Sequence, residues 1–190
     1  AMRNKSLCLT AVLVGSLLVV LALVGLGGRY FQQSRIDRTL VTDQLKAMMP
    51  ERSAGVPEER ADNTMPVWET GGIDFIGLLE VPDRGIERPV GALWDEAERS
   101  GCPTRYMGSV YDGSLILGGP YAEGGFDFID ALDAGEQIIF VDLTGREFRF
   151  TVAKISHADN ARTETLCAGD DDLTLFVKKD GVFLIVHCTA

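Results

Sequence analysis

Few side chains in this sequence could perform acid–base or nucleophilic chemistry. The chain has two histidines, His157 and His187. His157 lies in a polar stretch that predicts an exposed loop, where a histidine is usually only solvated. His187 directly precedes Cys188 near the end of a predicted strand, and adjacent strand residues point to opposite faces. These two residues therefore cannot readily pair as a base and a thiol nucleophile.

The four cysteines do not form a disulfide framework. Cys8 lies in an apolar block near the start, and Cys102, Cys167 and Cys188 follow later. Three is an odd number, so at least one of these later thiols has no disulfide partner within the chain, and the pairing of Cys102 is open. Cys167 and Cys188 are the candidates for a thiol nucleophile, but the sequence places no histidine or arginine where it would activate either one.

Other signatures of catalysis or metal binding are missing from the sequence. It has no HExxH, GxSxG, Walker loop or paired CxxC. The Gly-Gly pairs at 118–119 and 124–125 lack the Lys-Ser/Thr that would follow in a phosphate loop. The acidic run 170–172 could bind a hard cation, but we interpret it as a solvated turn before a strand. No metal and no cofactor is therefore expected.

Charge and hydropathy divide the chain into a membrane anchor and an acidic domain. The net charge is −10, and the first 30 residues hold three basic side chains and no acidic one, so the remainder carries −13. Such a domain lacks the clustered Lys and Arg that bind phosphates, which excludes nucleic acid as a partner. Residues 6–28 are uncharged and mostly apolar, and this length is enough to cross a hydrocarbon layer of roughly 30 Å as a helix.

The charges that flank the apolar run indicate its orientation. Arg3 and Lys5 precede it, which favours a cytoplasmic N-terminus and a single-pass protein whose C-terminal domain is extracellular. The alternative is a cleaved signal peptide, with Gly25 and Gly27 as the small residues before the cut. The run is longer than a usual signal sequence, so an uncleaved anchor is the preferred interpretation.

The elements that must position the candidate residues are mostly short strands. An amphipathic helix is predicted at 31–49, ended by Pro50, and a polar linker follows to residue 72. Strands are predicted at 75–81, 89–93, 114–117, 137–142, 146–155, 173–177 and 182–188, with short helical segments at 94–99 and 126–132 and hairpin turns at 143–145 and 179–181. The pattern predicts a mainly β fold, a closed barrel of about seven or eight strands. The expected organisation is an anchor at 1–30, a juxtamembrane helix and linker at 31–72 and the barrel domain at 73–190.

The order of these segments and their amino-acid sequences resemble those of a sortase, the membrane-anchored cysteine transpeptidase of the Gram-positive cell wall. They are most similar to the class B type. The resemblance covers about residues 73–190 together with the anchor and first helix. It is carried by FIGLLEVP at 75–82, IERPV at 86–90, RYMGSVY at 105–111, LDAGE at 132–136, FVD at 140–142, DLTLF at 172–176 and VHC at 186–188. Each segment alone is a weak signal, and their order and spacing make the combination fairly specific.

The sequence departs from the sortase pattern at each of the three catalytic positions. The resemblance implies a histidine as general acid, a cysteine that forms a thioacyl intermediate and an arginine that positions the substrate. Gly119 stands where the histidine is expected, Lys178 where the cysteine is expected and Phe183 near the arginine position. Glycine cannot donate a proton. A lysine attack on an acyl group would end in an amide about as stable as the substrate, so the enzyme would not turn over.

The resemblance therefore predicts a pseudoenzyme, an extracytoplasmic sortase-like surface protein without intact catalytic residues. Its groove, with Tyr121, Thr174, Phe176 and Lys178 as candidate lining residues, is expected to bind a sorting-signal peptide, a pilin or a partner sortase. One alternative is an active transpeptidase or peptidase that uses Cys167 or Cys188. Two further alternatives are an envelope scaffold that binds no peptide and a barrel with an unrelated small ligand.

Overall fold

Ten strands form one connected sheet in a computed structural model that describes residues 37–55, 63–160, 162, 166 and 171–190. The strands are β1 (Ser53–Ala54), β2 (Trp68–Thr70), β3 (Ile73–Val81), β4 (Ile86–Gly91), β5 (Thr104–Met107), β6 (Leu115–Pro120), β7 (Gln137–Asp142), β8 (Arg146–Ala158), β9 (Leu173–Lys179) and β10 (Val182–Thr189). The two α-helices among these residues are α1 (Arg38–Met48) and α2 (Ala97–Ser100), and 3₁₀ turns lie at Pro82–Arg84, Trp94–Glu96 and Ile129–Ala131.

Strands β3 to β10 close into an eight-stranded barrel. Around the barrel the order is β3-β4-β5-β6-β9-β10-β8-β7, and β7 returns to pair with β3. The β4–β5 and β6–β9 pairs are parallel, and the other pairs of the barrel are antiparallel. The predicted mainly β fold and closed barrel are thus confirmed.

Apolar side chains alternate into the barrel interior and form its core. On β8 these are Phe148, Phe150 and Val152, while Glu147, Arg149 and Thr151 face outward. On β9 the inward residues are Leu173, Leu175 and Val177. Thr174, Phe176 and Lys178 consequently lie on the outer face.

The β9–β10 hairpin has a two-residue loop, Asp180-Gly181. Both residues have positive φ, 51° and 88°, as in the turns that match the twist of a hairpin. Gly181 takes this conformation without strain because it has no Cβ. The turn fixes the register that places Lys178 opposite Phe183.

The segment before the barrel is tied to it by an amphipathic helix and an arginine. Helix α1 starts after Asp37, whose carboxylate accepts from the Leu40 backbone N–H at 3.3 Å, and it buries Val41 and Leu45. Arg52 then donates to Glu80 of β3 at 2.6 Å and to Glu147 of β8 at 3.1 Å. The described part of the predicted helix at 31–49 is therefore helical from Arg38 to Met48.

Several local predictions differ from the structure. The linker at 50–72 was expected to lack strands, but it contributes β1 and β2, which are two and three residues long and pair with β8 and β3. Residues 126–132 form only the 3₁₀ turn Ile129–Ala131 among the described helices, because their apolar side chains insert into the core from an irregular loop. No helix within the described ranges is long and apolar enough to span a bilayer; the anchor predicted at 6–28 lies outside those ranges.

Candidate functional site

The three positions of the sortase resemblance meet on adjacent strands of the barrel. In the parallel β6–β9 pair, Gly119 is the partner of Val177 and Pro120 is the partner of Lys178. Across the β9–β10 hairpin, Lys178 is the partner of Phe183. The pairing of β6, β9 and β10 therefore brings the backbone of these three positions close together, whatever side chains they carry.

The side chains at these positions supply no catalytic group. A Cβ built on Gly119 would lie 3.1 Å from the carbonyl oxygen of Cys102 and 3.2 Å from the ring of Phe126, so the position points into packed atoms. Lys178 is exposed, and its Nζ lies 5.6 Å from the ring centroid of Phe183. This is a cation–π arrangement, worth about 0.5–1 kcal/mol at an exposed site. It provides neither a thiolate nor a proton donor matched to a leaving amine.

A row of four aromatic rings, here called the aromatic strip, extends from Phe183 across the outer face. It consists of Phe183, Phe176, Tyr106 and Trp94. Ring centroids lie 6.4 Å apart for Phe183–Phe176, 5.4 Å for Phe176–Tyr106 and 5.2 Å for Tyr106–Trp94. The two pairs that involve Tyr106 are edge-to-face, which is a favoured geometry for aromatic contacts. The strip ends at Lys178 and so covers the surface beside the three positions of the sortase resemblance.

Gly118 makes this packing possible. A Cβ at Gly118 would lie 2.4 Å from Cζ of Phe176 and 2.7 Å from Cζ3 of Trp94. The two rings thus lie where a side chain of β6 would otherwise project. Ile116, Leu166 and Ile185 pack with Phe176 in the same outer-face cluster. This part of the surface is filled and apolar.

The four residues predicted to line a groove do not form one open surface. Thr174 is 2% exposed and Phe176 is 4% exposed, so neither offers free area to a ligand in this conformation. Tyr121 is exposed, but its hydroxyl donates to Asp130 at 3.1 Å and its ring lies 4.5 Å from Lys179 Nζ. Lys178 is the exposed residue at the end of the strip, and Trp94, 40% exposed, adds a surface that the sequence prediction did not include.

The described cysteines are buried away from the outer face. Cys188 packs in the barrel core, and burial raises its pKa to about 12. Burial likewise raises the pKa of Cys102 to about 12, and neither forms a disulfide. A thiol with these surroundings is protonated at neutral pH and shielded from substrate. The geometry therefore argues against Cys188 as a nucleophile, and Cys167 lies outside the described residues.

A polar chain that the sequence reasoning missed lies on the outer face of β8 and β10. Ser156 Oγ lies 2.8 Å from His187 Nε2, and His187 Nδ1 lies 2.6 Å from Asp171 Oδ2. The interpretation of the acidic run as a solvated turn is wrong for Asp171, whose side chain is only 14% exposed. Asp172 is partly exposed, and its side chain accepts from the Ala190 backbone N–H at 2.7 Å. His187 and Cys188 do face opposite sides, as predicted.

The three residues of this polar chain lie far apart in the sequence. Asp171 and His187 are 16 residues apart, and Ser156 is 31 residues before His187. They meet because β10 lies between β8 and β9, an arrangement that local periodicity does not report. His157, the other histidine, is exposed as predicted, although it lies on β8 rather than in a loop.

No family model matches the sequence, and no curated protein matches it. Solved structures do match. Over 60% of this chain and 68% of the other, the fold is similar to the complex of Streptococcus agalactiae sortase C1 and MTSET, with a TM-score of 0.51 and 17% identity. Over 62% of this chain and 71% of the other, it is similar to Clostridium perfringens sortase C with the C-terminal cell wall sorting motif, with a TM-score of 0.50 and 19% identity.

These similarities, with the closed eight-stranded barrel, show that the chain has a sortase-like fold. The expected resemblance to a sortase is confirmed at that level. The closer resemblance to the class B type stays a prediction, as does the loss of activity.

Proposed function

We propose that this chain is a sortase-like protein without cysteine transpeptidase activity, which binds an extended peptide on the outer face of its barrel. The observation that carries the proposal is the composition of the assembled site. Strands β6, β9 and β10 bring the three family positions together, yet they hold Gly119, Lys178 and Phe183. In this proposal the barrel is held outside the cell membrane by the anchor at 6–28.

The absence of transpeptidation follows from the chemistry of the site. A thioester intermediate needs a thiolate, and the described thiols, Cys102 and Cys188, are buried and have a raised pKa. The leaving amine needs a general acid, and Gly119 has no side chain and no room for one without movement of Phe126 or the backbone at Cys102. Restoration of activity would therefore require more than the three family side chains.

The aromatic strip and Lys178 indicate the chemistry of the ligand. Trp94 and Leu93 are both exposed, at one end of the strip, and a single cation lies at the other end. An extended segment with apolar side chains would pack on the rings, and an acidic side chain or carboxylate would reach Lys178 Nζ. A sorting-signal peptide, a pilin tail or a segment of a partner sortase fits this description. The structure of Clostridium perfringens sortase C with the C-terminal cell wall sorting motif is a precedent for this fold.

Peptide titration with a tryptophan reporter tests the proposal. The chain has two tryptophans, so Trp68→Phe leaves Trp94 as the single reporter on the strip. The full-length protein in mild detergent would be titrated with a panel of sorting-signal peptides and their scrambled versions. We expect saturable change in Trp94 emission with signal peptides only. Absence of saturation with any signal peptide, at concentrations up to about 1 mM, would refute peptide binding.

Two variants and a control locate the binding surface. Lys178→Gln should weaken binding of peptides with an acidic group near the strip and should leave neutral peptides unchanged. Phe183→Ala should weaken both kinds. Leu40→Ala removes an exposed apolar residue of helix α1, outside the strip, and should have no effect.

The alternative of a thiol enzyme is tested separately. Peptide cleavage and labelling by a substrate-like vinyl sulfone would be measured for the wild-type chain and for Cys167→Ala and Cys188→Ala. Cleavage that depends on Cys167 would overturn the inactive assignment. If cleavage is unchanged in the variant that carries both Cys167→Ala and Cys188→Ala, neither thiol is the nucleophile. If no peptide binds and partner proteins copurify through another surface, the chain is an envelope scaffold.

The proposed anchor is tested by localisation. Full-length protein expressed in a Gram-positive host should remain with membranes after carbonate washing, and external protease should digest the barrel in intact protoplasts. Release of the barrel into the medium would instead support the cleaved signal peptide.

A further inference from the structure

A change of register in β8 turns Ser156 onto the outer face. Up to Val152 the inward residues of β8 occupy alternate positions, and Val152 is the partner of Cys188. His187 is then the partner of Lys154, so Ala153 is an extra residue at a bulge. Beyond the bulge Ile155 packs against the core, and Ser156 projects outward. Bulges of this kind re-aim the side chains that follow them.

The contacts of His187 with Asp171 and Ser156 define its tautomer. An ionised carboxylate only accepts, so the Nδ1 atom 2.6 Å from Asp171 carries the proton and donates it. In the neutral imidazole Nε2 is then an acceptor, and the Ser156 hydroxyl donates to it at 2.8 Å. The Ser156 hydroxyl proton thus points at the lone pair on His187 Nε2, while His187 Nδ1–H is bound to the Asp171 carboxylate.

The carboxylate is held in place by its own neighbour in the chain. Asp172 N–H donates to the Cys188 carbonyl at 3.0 Å, and its side chain accepts from Ala190 N–H. These bonds fix the approach to β9 against the end of β10. The His187 and Asp171 side chains are 13% and 14% exposed, so water competes little for their hydrogen bond. Lys154, the cross-strand partner of His187, is exposed.

We propose that Ser156, His187 and Asp171 form a serine nucleophile centre, separate from the former sortase positions, which hydrolyses esters with an apolar acyl group. Nucleophile, base and orienting carboxylate are each within hydrogen-bond reach of the next, which is the arrangement that defines such centres on unrelated folds. The family positions Gly119, Lys178 and Phe183 take no part in its bond-making steps.

The reaction balances with water as the co-reactant. Ser156 Oγ attacks the ester carbonyl carbon as its proton passes to His187 Nε2, and Asp171 accepts the hydrogen bond from Nδ1–H of the resulting imidazolium. The C–O bond to the alcohol then breaks, and Nε2 returns the proton to the departing oxygen. Water attacks the acyl-serine with His187 again as base, which releases the carboxylic acid and restores the Ser156 hydroxyl.

The preference for an apolar acyl group follows from the neighbours of Ser156 on the outer face. Its cross-strand partner is Ile185, and the next outward pair is Ala158 and Phe183. These three side chains belong to the outer-face apolar cluster that also contains Phe176. Ile185 is itself only 1% exposed, so an acyl chain extending from Ser156 in this direction would contact the half-buried side chains of Ala158 and Phe183.

A fluorophosphonate probe tests the centre directly, because it phosphonylates activated serines and leaves ordinary ones unmodified. The full-length protein in mild detergent would be treated with an alkyl fluorophosphonate, and the modified residue located by peptide mass mapping. We expect one adduct, on Ser156. Hydrolysis of p-nitrophenyl esters should be abolished by Ser156→Ala.

Three variants separate a catalytic role from a structural one. His187→Gln and Asp171→Asn should slow labelling by about 100-fold or more, with circular dichroism showing a folded barrel. Ser53→Ala, an exposed strand serine on β1, should label at the wild-type rate. If His187→Gln fails to fold, Ser156→Cys provides the second measurement, since a thiol beside this imidazole should react with iodoacetamide much faster than free cysteine at neutral pH.

A folded wild-type protein with no adduct on Ser156 would overturn the proposal. Equal labelling of Ser53 and Ser156, or a Ser156→Cys thiol no more reactive than free cysteine, would do the same. None of the variants changes Lys178 or a residue of the aromatic strip, so peptide binding is measured separately from labelling of Ser156.

Discussion

The substitution Gly118→Ala tests whether the aromatic strip occupies the surface beside Gly119, Lys178 and Phe183. Gly118 has no positive φ, so an added methyl would act through contacts rather than backbone strain. The new Cβ would lie 2.4 Å from Phe176 Cζ, and an ordinary carbon contact is about 3.5 Å. The ring of Phe176 must therefore withdraw by about 1 Å.

The expected cost follows from this displacement. Overpacking a filled site costs about 1–3 kcal/mol, and replacement of glycine by alanine returns about 0.4–1 kcal/mol through the unfolded chain. The net loss should be roughly 1–2 kcal/mol in the free energy of unfolding. For a domain of this size that corresponds to a fall in Tm of about 2–8 °C.

Urea unfolding and Trp94 emission measure the two consequences. In a Trp68→Phe background, Gly118→Ala should lower the urea midpoint and shift Trp94 emission to the red as the rings separate. In a Phe176→Leu background the ring atom nearest the new methyl is absent, so the same change should cost about 1 kcal/mol less. An unchanged midpoint and emission maximum for Gly118→Ala would refute the packing described for Gly118.

Three further predictions concern the barrel and its supports. Arg52→Met should destabilise the fold by about 1–3 kcal/mol, because it leaves the buried carboxylate of Glu80 without its partner; equal urea midpoints for the variant and wild type would contradict this. Burial alone would raise the pKa of Glu136, but hydrogen bonds from the Asp133 backbone and Arg84 outweigh it and hold that pKa below its usual range. The part of the stability lost in Arg84→Met that comes from Glu136 should therefore be full above about pH 4.5 and should fall away at lower pH. The part that comes from the hydrogen bond of Arg84 to the Ala131 carbonyl should persist, and thermal melts at pH 7 and pH 3 would check both. Iodoacetamide should modify Cys188 only under unfolding conditions, because it is buried with a raised pKa; rapid modification of the native protein, seen by peptide mapping, would contradict its placement in the core.

The strands that the sequence predicts well are those with one buried face and one exposed face. On β8 the alternation of Phe148 and Phe150 with Arg149 marks the inward side without any tertiary information. The turn at Asp180-Gly181 is equally local. β5 was missed because its four residues have no alternation, with a register shift between Arg105 and Met107.

The candidate site likewise has a part that the sequence predicts and a part that depends on strand pairing. The amino-acid sequences of three segments predicted the positions Gly119, Lys178 and Phe183. The β6–β9–β10 pairing brings these positions together. The aromatic strip was not predicted, because the contact of Phe176 with Gly118 depends on a parallel pairing of strands far apart in sequence. The Ser156–His187–Asp171 chain required the bulge at Ala153, and no residue-type pattern in β8 indicates which residue will be extra.

Strand β10 lies between β8 and β9, and this order sets the sequence of events during synthesis. A ribosome delivers residues 182–189 after both neighbouring strands, so the barrel cannot close until these eight residues emerge. Until then β8 and β9 each present an unpaired edge, the kind of surface that pairs with other chains. Closure joins strands distant in sequence, which is intrinsically slow. A chain stalled or cut shortly before residue 182 would therefore be an open, aggregation-prone sheet.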